Sequence, residues 1–291
     1  IRIQQHGECA AGSLVVHGAS DPVEVVRVVI GEVGMTIVVP EHSFVKLMYE
    51  EFWKSSPCMV RPTCQPLTML FGGVTAPDTT TAAEWIGPEL TGPDWTVGAL
   101  VPDRYPRVLR VWAPAPTEDD DWWTHYRALF DVVAAVGVRH TSSPERAWFG
   151  IWDGHGFDNV ATFIAHRGPL DDDQRRALDE QRARLRDEDR RRNAEIRAAL
   201  DTMPRFQRPH RAYYLLEGSV AAVSTLRYPG FDGWRNPDLF WPDDRRWFVA
   251  TDVDFWSLYV GGDQAFIDDL AREVPTRTAV VSRDTRLELE D

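Results

Sequence analysis

Asp252 and Asp254 stand two residues apart in a run, Trp247–Phe255, whose Val, Thr and Phe content predicts a strand. Alternate residues of a strand project to one face, so both carboxylates would point the same way. Paired oxygen ligands of that kind suit a divalent cation, with Asp153, His155 or His166 completing the shell. The competing reading is a strand end, with one Asp paired to Arg245 or Arg246 and the other capping a turn. Asp153-Gly154-His155-Gly156 sets an acid and an imidazole two residues apart between glycines, a pattern that can present a general base or a metal ligand. It also fits a hairpin turn with a solvated His155, and the turn reading is preferred. Glu217 follows a buried-looking run and precedes Gly218, where it serves either as a catalytic acid or as a cap of the next helix. Trp152 and Trp241, each beside carboxylates, could stack on a sugar or another small ligand.

No sharper motif accompanies these residues. G-x-S-x-G, the P-loop, G-x-G-x-x-G, H-E-x-x-H and C-x-x-C are all missing from the chain. Cys9, Cys58 and Cys64 fit neither a metal knuckle nor a disulfide framework. Arg205, Arg208, His210 and Arg211 form a local basic cluster, read here as an ion-pairing group within the fold. No cofactor is expected.

The elements that must position these residues are partly legible. Arg107–Trp112 alternates as a strand. The helix after it carries Trp122, Tyr126, Leu129, Phe130, Val133 and Val136 on one 3.6-residue face, with Gly137 as its stop. Ala147–Trp152 and Phe157–Ala165 read as paired strands around the Asp153–Gly156 turn. Leu170–Leu200 is rich in Asp, Glu and Arg, with only Leu178, Leu185, Ile196 and Leu200 as a thin apolar stripe. It predicts a long, partly exposed helix laced by ion pairs. Arg211–Glu217, Leu239–Trp241 and Thr278–Val281 read as strands, and Asp263 caps a helix carrying Phe266, Ile267 and Leu270. Strands and helices mix without regular alternation, so the fold class is α+β with a mostly antiparallel sheet.

Composition divides the chain near residue 80. All three Cys, both Lys and four of five Met lie at or before Met69, and beyond it Arg is the sole basic side chain besides His. The expected organisation is an N-terminal segment to residue 54, a linker over 55–84 and a main domain over 85–291. The first segment is either a small β/α module or a non-native extension, with strands at Ser13–His17, Val23–Ile30 and Met35–Val39 and a helix at Phe44–Trp53. Across 291 residues, 43% hydrophobic content predicts a folded globule, and the net charge of −13 argues against nucleic-acid or anionic-membrane partners. The start lacks signal-peptide order and no apolar run is long enough to span a bilayer, so a soluble cytoplasmic location is expected.

From Glu89–Trp95 to Gly261-Gly262-Asp263, through Trp148–Gly156, His210–Gly218 and Asn236–Phe255, the chain resembles an uncharacterised family of Trp-rich soluble proteins from high-GC bacteria. The resemblance carries no activity. Its pattern places an aromatic where His155 stands, which leaves Asp252 and Asp254 as the more interesting pair. The mixture of elements also loosely resembles the immunity proteins of bacterial toxin systems. Two functions are therefore expected: a non-catalytic interaction protein of the immunity or accessory kind, offering its charged helix to a basic protein partner, or a metal-dependent hydrolase or transferase built on Asp252 and Asp254.

Overall fold

The fold is a computed structural model that describes residues 2–4, 14–18, 23–29, 36–38, 71–113, 122–166, 170–231, 233–253, 257–274 and 277–287. In chain order its elements are β1 (Arg2–Gln4), β2 (Leu14–Gly18), β3 (Val23–Val29), β4 (Thr36–Val38), a helical turn α1 (Val97–Leu100), β5 (Arg107–Trp112), α2 (Trp122–Arg139), β6 (Ala147–Trp152), β7 (Val160–His166) and α3 (Asp172–Leu200). Then follow β8 (Arg205–Arg208), β9 (Arg211–Gly218), β10 (Leu239–Pro242), β11 (Phe248–Ala250), β12 (Ser257–Gly262), α4 (Gln264–Glu273) and β13 (Thr278–Val281). The chain divides into two units, neither continuous in sequence. Residues 1–65, 154–201 and 229–232 make a helix unit; residues 66–153, 202–228 and 233–291 make a sheet unit.

This division departs from the one expected at residues 54 and 84. The segment 154–201 groups with the N-terminal strands, because β7 pairs with β3 over seven residues, Val23↔His166 to Val29↔Val160. The expected linker is not all linker: Phe71 and Val74 are buried, and Thr75 exchanges two backbone hydrogen bonds with Glu217. The Phe44–Trp53 helix and residues 55–70 lie outside the described residues.

In the helix unit, β2, β3 and β7 form an antiparallel sheet, and β1 pairs with β4. The long helix α3 starts at a capping box: Asp171 accepts from Gln174 N–H, and the Gln174 side chain returns to Asp171 N–H. Its inward stripe holds Leu178, Asp189, Ile196 and Leu200. Asp189 is there because it accepts from both the backbone and the hydroxyl of Thr162 on β7 (2.5 and 2.9 Å) and from Arg192. The outer face is self-paired three residues apart, as in Asp172–Arg175, Asp173–Arg176, Asp179–Arg182 and Asp187–Arg190.

In the sheet unit, eight antiparallel strands run in the order β13-β5-β12-β11-β10-β6-β9-β8. Antiparallel sheets commonly leave one face to water, but Ala147–Trp152, Leu239–Trp241 and Phe248–Ala250 are apolar in both parities, which requires cover on both sides. One face carries Trp148, Tyr213, Leu215, Leu239, Trp241, Phe248 and Tyr259, packed with Ile86, Val97, Val101 and Tyr105 from the segment before β5. The other carries Phe149, Phe240 and Trp247 under α2 and α4, where Phe149 stacks on Phe240 at 5.0 Å and Trp247 on Phe266 at 5.8 Å. The α+β class and mostly antiparallel sheet stand as expected. Among the described residues no helix is long and apolar enough to cross a membrane.

Two local expectations are corrected. Helix α2 passes through Gly137 and ends at Arg139, so this glycine is not a stop. It is a clearance: a Cβ there would meet Trp247 Cζ2 at 2.6 Å, and the Trp247 indole N–H donates to Gly137 O at 3.1 Å. Gly137→Ala is accordingly expected to destabilise the fold by about 1–3 kcal/mol through overpacking, against alanine's helix preference of about 1 kcal/mol. A higher melting temperature for this variant would refute the clearance role. The second correction concerns Asp153–His155, a short 3₁₀ turn that does not close a hairpin. β6 pairs with β9 and β10, β7 pairs with β3, and the division between the units falls between Asp153 and Gly154.

Candidate functional site

At one end of the large sheet five chain segments converge. Trp152 ends β6 opposite Tyr213 of β9; Arg208 and Arg211 face each other across the turn between β8 and β9; Asp238 immediately precedes β10; Asp252 follows β11. Pro209 and His210 make that turn. His210 sits at φ 69°, in the position where such turns ordinarily place glycine.

Charges interlock around this end. Arg211 bonds Asp252 at 2.9 Å and lays its guanidinium over the Trp152 ring, 4.6 Å from the centroid. Asp238, only 2% exposed, accepts from Trp152 N–H at 2.7 Å. Arg208 is buried, donates to the carbonyls of Ala99 and Leu100, and leaves its Nη1 without a partner among the described residues. Burial pulls the Arg208 guanidinium's hold on its proton down, against support from Tyr213, Asp252 and Asp238. For Arg211 burial acts in the same direction, but Asp252, Tyr213 and Asp238 outweigh it and its pKa ends above the ordinary value.

Tyrosines report the dryness of this core. Burial pushes the Tyr213 hydroxyl up to about 12, and it pushes Tyr228 and Tyr105 well above the ordinary phenol range. Unfolded tyrosines ionise near 10, so Tyr213 favours the folded state fully below about pH 10 and stops doing so as pH rises through about 12, while Tyr228 and Tyr105 keep their contribution to higher pH. Titration followed at 295 nm is expected to show fewer than the full seven tyrosines ionising by pH 11 while the fold holds, the rest appearing only with alkaline unfolding. Smooth ionisation of all seven near pH 10 in folded protein would contradict the buried core.

The predicted site residues do not assemble into one centre. β11 stops at Ala250, so Asp252 is beyond the strand and the same-face argument does not apply. Its partner is Arg211, neither Arg245 nor Arg246. Asp254 lies outside the described residues. Asp153 faces Arg205 at 3.8 Å, while His155 and His166 belong to the helix unit, where the His155 ring rests 5.5 Å from Phe157. Among the described residues no group of three or more His, Cys, Asp or Glu side chains could hold a metal ion. Glu217 lies on β9, not at a helix start, and pairs with Arg146 at 3.4 Å.

The aromatic candidates are corrected as well. Trp241 is 0% exposed, stacked with Phe248 at 5.7 Å and edge-on to Trp85 at 6.2 Å, so it offers no ring face to a ligand. Trp152 is half-buried, with Arg211 already on its ring. A hollow of ≈ 390 Å³, lined by Phe71, Val74, Asp78, Met203, Leu216 and their neighbours, contains none of the predicted site residues. The basic cluster is largely the internal ion-pairing group expected: Arg205 pairs with Asp153, His210 with Asp94 at 3.5 Å and Arg211 with Asp252, whereas Arg208 takes carbonyl partners.

The sequence reading missed a recurrent device. Five indoles carry an arginine within cation–π range: Arg104 and Arg245 on Trp85 (4.2 and 5.2 Å), Arg235 on Trp123 (4.5 Å), Arg146 on Trp148 (4.8 Å), Arg211 on Trp152 (4.6 Å) and Arg110 on Trp112 (5.7 Å). Carboxylates hold several of these arginines: Glu89 takes Arg104, Glu217 and Asp243 flank Arg146, and Asp252 takes Arg211. The bond from Arg104 holds the Glu89 carboxyl below its usual range.

The chain matches no family model, no curated protein and no solved structure.

Proposed function

We propose that the protein works as a non-catalytic binding protein of the immunity or accessory kind, cytoplasmic, holding a basic protein partner through its surface. One observation carries this reading. Each described candidate for a catalytic acid is engaged by an arginine of its own unit: Asp153 by Arg205, Glu217 by Arg146 and Asp252 by Arg211. An acid neutralised in this way builds structure and is poorly placed to take up a substrate proton or a cation.

The partner's sign follows from the charge distribution. The sheet unit holds 26 Asp and Glu against 17 Arg. The long helix, first expected to be the surface offered, is nearly balanced, with nine Arg against eight acids. Acidic complementarity therefore belongs to the sheet unit, where it would steer a cationic partner and weaken with salt.

The test has two arms. Cross-linking in the native cell, followed by reconstitution of the two purified proteins, is expected to give a complex whose affinity falls between 50 and 500 mM salt, on the order of tenfold or more. Recovery of the protein alone and monomeric overturns the reading. So does metal-stimulated hydrolysis of phosphoesters or carboxylic esters that Asp252→Asn abolishes.

A further inference from the structure

Trp95 breaks the pattern of the other described indoles. Trp234, Trp241 and Trp247 are buried, and five others carry an arginine, whereas Trp95 is 55% exposed with no guanidinium over its ring among the described residues. Yet it has the carboxylate that accompanies several of the capped indoles: Asp94 precedes it and is itself largely exposed. The only ion pair of Asp94 among the described residues is His210 Nε2 at 3.5 Å, also at the surface.

The backbone holds this indole out deliberately. Trp95 sits at φ 63°, a left-handed conformation that a bulky residue adopts only when its surroundings impose it. Those surroundings are present. Leu287 N–H bonds Trp95 O at 2.8 Å, Val97 N–H bonds Thr285 O at 3.0 Å, Gly98 N–H bonds Arg283 O at 2.9 Å, and the Thr96 hydroxyl bonds Pro93 O at 2.6 Å. Gly92 and Gly98 approach so closely that a Cβ on Gly92 would lie 2.5 Å from Gly98 C. His210, the neighbour of Asp94, is likewise left-handed at φ 69°. Two of the three non-glycine residues in that region, among those described, thus lie at one exposed corner, linked through Asp94.

We infer that Trp95 and Asp94 receive an arginine or lysine side chain of a basic protein partner. The partner's cation would occupy the place that the protein's own arginines fill at Trp85, Trp148 and Trp152, with the indole face below it and the carboxylate beside it. A rigid, exposed tryptophan is also the side chain most enriched where binding energy concentrates. The inference deepens the binding-protein reading and rests on it for the class of partner. Arg286, exposed and bridged to Thr96 across the backbone, is the internal residue whose side chain must be kept distinct from such a partner.

The probe is a hexa-arginine peptide titrated into the full chain at low salt, followed by the indole N–H resonances in ¹H–¹⁵N spectra. The Trp95 signal, assigned by its loss in Trp95→Gly, is expected to shift on titration. Trp95→Gly is expected to bind the peptide roughly threefold to tenfold more weakly, and Asp94→Asn by a similar factor that vanishes in high salt. Both variants should melt within about 3 °C of the parent, because an exposed indole leaves no core cavity. A Trp95→Gly protein that melts far lower marks the indole as packing and overturns the inference. So do equal affinities in parent and variants, a Trp95 signal unmoved by peptide, or one that moves with cellobiose instead. A shift of that signal in unliganded Arg286→Ala would mean an internal cap and would also sink it. Recovery of a basic partner that binds Trp95→Gly as tightly as the parent leaves the binding-protein reading standing and removes only this corner from it.

Discussion

Trp247→Ala is expected to lower the unfolding free energy by about 3–5 kcal/mol, the range for deleting a large aromatic from a packed core. Trp247 is 0% exposed and joins three elements of the sheet unit. Its ring stacks on Phe266 of α4, meets Phe240 of β10 edge-on at 4.9 Å, and donates to the Gly137 carbonyl inside α2. Truncation leaves a void between a strand and two helices, and Phe240 and Phe266 cannot both collapse into it while their own elements stay in register. Many domains hold only 5–15 kcal/mol in total, so this one change takes a large share. Urea titration followed by near-ultraviolet circular dichroism measures it, and a loss below about 1 kcal/mol would show that Trp247 is not the joint described.

Asp238→Ala should cost a comparable 3–5 kcal/mol for an electrostatic reason. Asp238 accepts the Trp152 backbone N–H and supplies negative charge close to Arg208 and Arg211. Arg208 already carries an unpartnered Nη1 in a buried setting. Removing the nearby charge leaves that guanidinium less compensated, and breaking such a group is costlier than never having buried it. Asp238→Asn tests the division of labour: it keeps the shape and one acceptor oxygen, so the part of the loss that it retains belongs to the charge. If Asp238→Ala unfolds at the parent's urea midpoint, the buried acid is not a keystone of this end of the sheet.

Much of the fold was legible because its signals are local. The 3.6-residue face of Tyr126, Leu129, Phe130, Val133 and Val136 became the buried side of α2, Thr278–Val281 became β13 residue for residue, and Asp263 caps α4 by accepting from Phe266 N–H. Pairing between distant segments was not legible. Asp153-Gly154-His155-Gly156 has the glycines of a hairpin, but nothing local states which sheet the next strand will join. The partner of Asp252 is Arg211, far upstream in sequence and next to it only because β9, β6, β10 and β11 lie in that order.

The two tryptophans at Trp241-Pro242-Asp243 and Pro93-Asp94-Trp95 make the same point about the candidate site. They use the same residue vocabulary, yet the first is fully enclosed and the second stands in water. One belongs to a central strand covered on both faces, the other to a loop bent by backbone constraints between Gly92 and Gly98. Composition sets indole beside carboxylate in both places, and only the fold decides which of the two reaches solvent.

The position of β5 between β12 and β13 bears on how the protein is made. A ribosome emits β5 long before either flanking strand, so most of the chain must leave the exit tunnel before Val108, Leu109 and Val111 find their hydrogen-bonding neighbours. Pairings so distant in sequence are slow to form, and unpaired apolar strands invite association in the interval. A chain that ends before Ser257 leaves both edges of β5 without the neighbours they have in the finished sheet, a state that favours association over folding.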